Sequence, residues 1–186
     1  MRETLEKPGT RGRHADEGVG RRARALLHAI GALILACGCG VAGAQTPPAL
    51  VPADDLVPLA SQSMVKGIPI MLVFTESDCP FCARAKKEHL EPLAVSADYG
   101  PKVIIREVDV RSEAPIRDFD GKTMSQSDFA RRYDIRSVPT IITFTGSGQR
   151  VAEPLVGLLI PDFYTLYIHR QIDDGRLIIR RATQPQ

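Results

Sequence analysis

Cysteine is scarce where a domain can form. Of the four cysteines in the 186 residues, Cys37 and Cys39 lie before residue 44, and only Cys79 and Cys82 follow it. A framework of structural disulfides is therefore excluded for the remainder. Charge of one sign is also lacking. Residues 1–44 hold seven Lys/Arg and four Asp/Glu (7 − 4 = +3), leaving 24 − 7 = 17 basic against 22 − 4 = 18 acidic residues beyond them, or −1. A near-neutral domain offers no polyanion-binding face, so no nucleic-acid partner is expected. No internal repeat, Gly-rich phosphate loop, pair of catalytic carboxylates or Ser–His arrangement stands out. A structural zinc site takes four ligands, and the histidines past residue 44 are only His89 and His169. No metal and no other cofactor is expected.

What is present begins with a leader. "GRRARALLHAIGALILACGCGVAGAQ" places Arg21, Arg22 and Arg24 before an apolar run that ends in Ala42-Gly43-Ala44. Positive flank, apolar stretch and small-residue cleavage site are the parts of a secretory signal. The expectation is a polar extension over 1–20, a signal peptide over 21–44 and a periplasmic remainder. Two other readings stay open: "ILAC" as a lipobox that would lipidate Cys37, or an uncleaved anchor. Each sends the rest of the chain across a membrane.

The uncharged, Pro-rich "QTPPALVPA" (45–53) reads as an extended linker. A domain is then expected over 54–175, enough for one ordinary core. Asp54 and Asp55 open a first helix to about Met64, ended by Gly67. "IPIMLVFT" is a strand buried on both faces. A helix from Pro80 to about Leu93 follows, with Phe81, Ala85, Leu90 and Leu93 as inner candidates. "KVIIREVDV" (102–110) is a second strand. Residues 111–124 read as a loop, and Ser125 or Ser127 caps a short helix to about Tyr133. "TIITFT" (140–145) and "RVAEPLVG" (150–157) form a hairpin across "GSGQ", with Pro154 marking an edge or bulge. "PDFYTLYIHRQI" is a last helix, closed by Gly175. Residues 176–186 form a tail that adds a short strand or packs loosely.

The central question is the pair in "TESDCPFCARAKKEHL" (75–90). The order β-α-β-α-β-β-α gives two parallel strands and an antiparallel hairpin with helices on both faces. With "CPFC" after the first central strand and "SVPT" (137–140) before a later one, residues 54–175 resemble the thioredoxin family. The long connection "FDGKTMSQSDFARRYDIRSVPT" is most similar to its exported bacterial members, including those linked to sulfur oxidation. The resemblance implies an α/β thioredoxin fold with a central mixed sheet of four to five strands. It also implies that Pro139 is cis beside the cysteines, leaving the Val138 backbone free to pair with an extended substrate. In thioredoxins proper an acidic residue lies six positions before the first cysteine. Here that position is Val73, while Glu76 and Asp78 read as solvated loop charges, so no general base is assigned.

With Cys79 at a helix N-cap and Pro80 in the first turn, unpaired N–H groups and the helix dipole favour the Cys79 thiolate. Cys82, one turn on and nearer the interior, is placed to resolve a mixed disulfide. Pro80 and Phe81 tune the site, and Phe81 at its rim offers an apolar contact. The expectation is thus an exported thiol–disulfide oxidoreductase, reductase rather than oxidase. It would be monomeric, acting on protein or small-molecule disulfides and recharged by a membrane-bound electron donor. The rival from another class is a metallochaperone or redox-sensing binding module that uses the same two thiols.

Overall fold

The computed structural model describes residues 49–158 and 160–183. The chain divides into two units, Met1–Gln45 and Thr46–Gln186. The extension, the signal segment and Cys37 lie outside the described residues. Among the described residues no helix is long and apolar enough to cross a membrane.

The second unit is a two-faced sheet. Helix α1 (Leu56–Lys66) starts at Asp55, whose carboxylate accepts the Val57 N–H, and stops at Gly67, which takes the left-handed φ of 64° that a side chain resists. Strand β1 (Ile70–Thr75) is buried along its whole length. Helix α2 (Pro80–Ala85) continues through a π-helical turn (Lys86–Leu90) into α3 (Glu91–Val95). The register shift lies just before Pro92, which has no N–H to give to the Glu88 carbonyl four residues back. Then come β2 (Ile104–Asp109), β3 (Pro115–Arg117), β4 (Thr123–Ser125), α4 (Gln126–Arg132), β5 (Thr140–Phe144), β6 (Leu155–Val156) and α5 (Pro161–Thr183).

The main sheet has the order β2-β1-β5-β6. Strand β1 runs parallel to β2 and antiparallel to β5, and β6 runs antiparallel to β5. Alternation along the strands sends Met71, Val73, Ile105 and Ile141 to one face, against Ala85, Leu90, Ile168 and Ile172 from α2, the π turn and α5. Ile70, Leu72, Phe74, Val108, Ile142 and Phe144 face the other way, against Leu56 of α1 and Phe129 of α4. This is the mixed α/β architecture with helices on both faces that the resemblance implied.

Four expectations need correction. Residues 45–53 are not a free linker throughout: Leu50 and Ala53 are buried, and Glu107 of β2 receives and returns backbone hydrogen bonds with Val51 and Ala53. The 111–124 stretch is not all loop, because β3 and β4 pair into a small hairpin. The strand expected over 150–157 shrinks to Leu155–Val156, joined by one bridge between Arg150 and Phe144; Pro154 interrupts the ladder. Finally, Gly175 does not close the last helix, and 176–183 are not a tail. Helix α5 runs on to Thr183 and buries Ile179. Gly175 is buried inside it because a Cβ there would come within 2.8 Å of the Pro69 ring. The glycine marks a close approach, not a stop.

Candidate active site

Cys79 is the N-cap of α2, with extended backbone (φ −95°, ψ 107°), and Pro80 occupies the first turn. The Cys82 N–H points at Cys79 Sγ, 3.0 Å away, so the helix end presents a donor to the sulfur that carries negative charge once the bridge opens. The two cysteines form a disulfide with Cα atoms 5.2 Å apart, inside the roughly 4.4–6.8 Å span such bridges use. Cys82 is 1% exposed and Cys79 9%, which makes the first sulfur the one a partner reaches.

Across from the pair, the Val138–Pro139 peptide is cis. The Val138 carbonyl oxygen lies 3.9 Å from Cys79 Sγ, and Pro139 is buried while Val138 is half-buried. The Pro139 carbonyl accepts the Gly157 N–H at 2.7 Å, which ties this turn to the end of β6. Pro80 is exposed and Phe81 is 62% exposed, so Phe81 belongs to the rim and not to the inner face. Beyond the turn, an open apolar cavity of about 200 Å³ is lined by Leu155, Val156, Gly157, Ile160, Tyr164 and Tyr167. All six sequence-derived site residues thus gather around one surface formed by the start of α2 and the turn before β5.

The charges nearby are mostly paired. Arg84 bonds Glu88, and Glu76 bonds Arg111 at 2.7 Å. Asp78 is exposed. Val73 is fully buried and aliphatic. One polar group went unnoticed in the sequence: Glu107, directly opposite Val73 in the parallel β1–β2 register. Its Oε1 accepts from Thr75 Oγ1 at 2.5 Å and from Lys86 Nζ at 2.7 Å. The signal for it was a carboxylate within the strand-forming run "KVIIREVDV", two residues after Ile105 and so on the same face. His89 lies off the site, its Nδ1 2.8 Å from Thr165 Oγ1 and its pKa lowered by burial, with Glu88 opposing and Arg84 adding to the shift. Among the described residues no group of three His, Cys, Asp or Glu is placed to hold a metal.

A disulfide closed across a helix N-terminus, facing a cis-proline turn on a four-stranded mixed sheet, is the arrangement of a thiol–disulfide redox domain. Residues 60–170 match the thioredoxin-like domain family, and the chain belongs to that family. No curated protein matches the chain. Among solved structures it is similar to a thioredoxin-fold protein from Helicobacter pylori (19% identity, 59% of this chain and 71% of that one, TM-score 0.44). It is also similar to mitochondrial thioredoxin 3 from Saccharomyces cerevisiae in its oxidized form (17%, 67% and 94%, TM-score 0.45). A third is thioredoxin O2 from Arabidopsis thaliana in the oxidized state (17%, 64% and 91%, TM-score 0.43). Membership rests on the family match; overlaps at these scores carry no weight.

Proposed function

We propose that this chain is an exported thiol–disulfide oxidoreductase that reduces protein disulfides by two-cysteine exchange. The observation that carries the reading is the placement of Cys79: helix N-cap, donor N–H of Cys82 at 3.0 Å, buried bridging partner and the Val138 carbonyl alongside.

In the reduced enzyme the Cys79 thiolate attacks one sulfur of a substrate disulfide. A mixed disulfide forms, and the other substrate sulfur leaves as a thiolate. Cys82 then loses its proton and attacks Cys79 Sγ. The second substrate thiolate departs, and the Cys79–Cys82 bridge is left behind. Two electrons have moved from enzyme to substrate, and a dithiol donor returns them by the reverse steps. Val138 presents backbone to an extended substrate segment, and Phe81 and the cavity beside β6 accept apolar side chains from it. The leader motif at 21–44 supports a periplasmic location, where the donor would be membrane-bound and the chain a monomer.

Insulin reduction by the full chain with dithiothreitol tests the activity. Turnover is expected, lost in Cys79→Ser, while Cys82→Ser should accumulate a mixed disulfide at Cys79. No turnover, with stoichiometric copper retained by the reduced protein, would overturn the enzyme reading in favour of a metal carrier. Export is checked separately by sequencing the N-terminus of protein recovered from the periplasm, where Gln45 is expected.

A further inference from the structure

The cavity beside β6 has two walls from different parts of the chain. Leu155, Val156 and Gly157 supply one, and Ile160, Tyr164 and Tyr167 at the start of α5 supply the other. Strand β6 alone holds its wall weakly. It makes two ladder pairs, Val156 with Thr140 and Leu155 with Ile141, and Pro154, with no N–H, stops the ladder there.

A buried amide joins the two walls. Gln171 lies on α5 one turn past Tyr167 and two past Tyr164, on the same face, and is 5% exposed. Its Nε2 donates to the Glu153 carbonyl at 2.9 Å, just ahead of Pro154. Its Oε1 accepts from Thr143 Oγ1 at 2.6 Å. Thr143 is buried and stands two residues after Ile141, on the sheet face that α5 covers. Its hydroxyl thus fixes which end of the amide faces Glu153, and its carbonyl takes the Val151 N–H at 2.8 Å. At this depth a lost partner leaves a polar group unsatisfied.

The far end of the same segment reaches the redox pair. The Gly157 N–H is held by the Pro139 carbonyl at 2.7 Å. Pro139 follows Val138 through the cis bond, and the Val138 carbonyl lies 3.9 Å from Cys79 Sγ. A substrate segment lying along Val138 with its cysteine on Cys79 therefore carries a neighbouring side chain past Val156 and Gly157. At about 200 Å³ the cavity falls below the roughly 300–1,000 Å³ of sites for whole small ligands. It suits one large apolar side chain.

We infer that Gln171, oriented by Thr143, sets the separation of β6 and α5 and thereby substrate preference: extended substrates with a large aliphatic or aromatic side chain near the reactive cysteine. Gln171 is a positioning residue and touches no reacting atom. The inference rests on the two-cysteine reading of the site.

The test uses the reduced full chain and short peptides whose one cysteine is disulfide-linked to thionitrobenzoate, with each flanking position in turn Ala, Leu or Phe. Attack of the Cys79 thiolate on the peptide sulfur expels thionitrobenzoate, and its release gives the second-order rate constant. At one position Leu or Phe should react at least about 10-fold faster than Ala, the discrimination a hydrophobic pocket gives. Gln171→Met keeps the volume and loses both hydrogen bonds; its preference should fall toward unity, as should that of Thr143→Val. Hydroxyethyl disulfide, which has no side chain to place, should be reduced by both at the parent rate. Preference retained in both variants, whatever their stability to urea, makes Gln171 merely structural and overturns the inference. An equal loss of rate on hydroxyethyl disulfide also overturns it, because the effect then falls on Cys79 itself. So does a parent that reduces every peptide without preference. In all three cases the enzyme reading stands. A parent that reduces neither the peptides nor hydroxyethyl disulfide sinks both. Should Gln171→Met fail to fold, Thr143→Val decides alone.

Discussion

Replacing Gly175 by Ala sets two opposing effects against each other. In the interior of a helix, Ala is favoured over Gly by about 1 kcal/mol, and helix α5 continues eight residues beyond this position to Thr183. Against that, the new Cβ would lie 2.8 Å from Pro69 Cβ, 3.0 Å from Pro69 Cγ and 3.2 Å from Val151 Cγ2. Pro69 is a rigid ring immediately before β1, and its carbonyl is held by the Ile104 N–H at 3.0 Å, so it cannot yield without moving β1 and β2. Overpacking of this kind costs about 1–3 kcal/mol, and a backbone-anchored obstacle belongs in the upper half of that range. The net expectation for Gly175→Ala is a loss of about 1–2 kcal/mol, or a Tm lowered by about 3–8 °C for a domain of this size. Gly175→Leu should lose more. Urea and thermal unfolding of the full chain measure both. An Ala variant as stable as the parent, or more so, would refute the reasoning, because only a helix standing clear of Pro69 would let propensity prevail.

Other outcomes follow from the same structure. Tyr164 is buried, its pKa is pushed up to about 12 by that burial, and its hydroxyl has no partner among the described residues; Tyr164→Phe should be neutral or stabilising by up to about 1 kcal/mol, and a clear loss in urea unfolding would show the hydroxyl to be satisfied. Asp118 accepts the Asp120 and Lys122 N–H groups at 2.9 Å each and pairs with Arg132. Burial opposes its ionisation, yet these hydrogen bonds prevail and hold its pKa below the ordinary value; Asp118→Ala should cost about 2–3 kcal/mol, and a loss under 0.5 would contradict this. Burial lowers the pKa of both His89 and His169. The unfolded chain therefore takes up protons first on acidification. Stability should fall as pH drops below about 6.5 and level off once the folded imidazoles are also charged; a His89→Gln/His169→Gln variant that keeps the whole decline between pH 7 and 5 would rule the histidines out.

The elements whose patterns have a single local cause were legible from the residues. Strand β1 is a short apolar run bounded by Gly67 and the Ser77–Asp78 loop, and both its faces are covered. Ser125 caps α4 by accepting the Asp128 N–H. The Cys-Pro start of α2 fell where the N-cap rule puts it. What escaped depended on neighbours distant in sequence. Gly175 reads as a helix stop unless Pro69, more than a hundred residues earlier, is known to lie against it. Glu107 looks like the outward residue of a half-exposed strand until β1 places Val73 beside it and the helix brings Lys86 across. Residues 50–53 look like linker because proline-rich composition says nothing about a strand edge waiting to pair. The 111–124 hairpin has three-residue strands, too short to show alternation.

Residues 51–53 have a consequence for how the molecule meets others. Val51 and Ala53 spend their inward backbone groups on β2, and Pro52 between them points its nitrogen outward with no hydrogen to offer. One flank of the sheet is thereby sealed by the start of the domain itself, against stacking with a stray strand or a second copy. The opposite flank ends in β6, whose following Gly157 N–H is held by the carbonyl of the cis-proline turn at 2.7 Å.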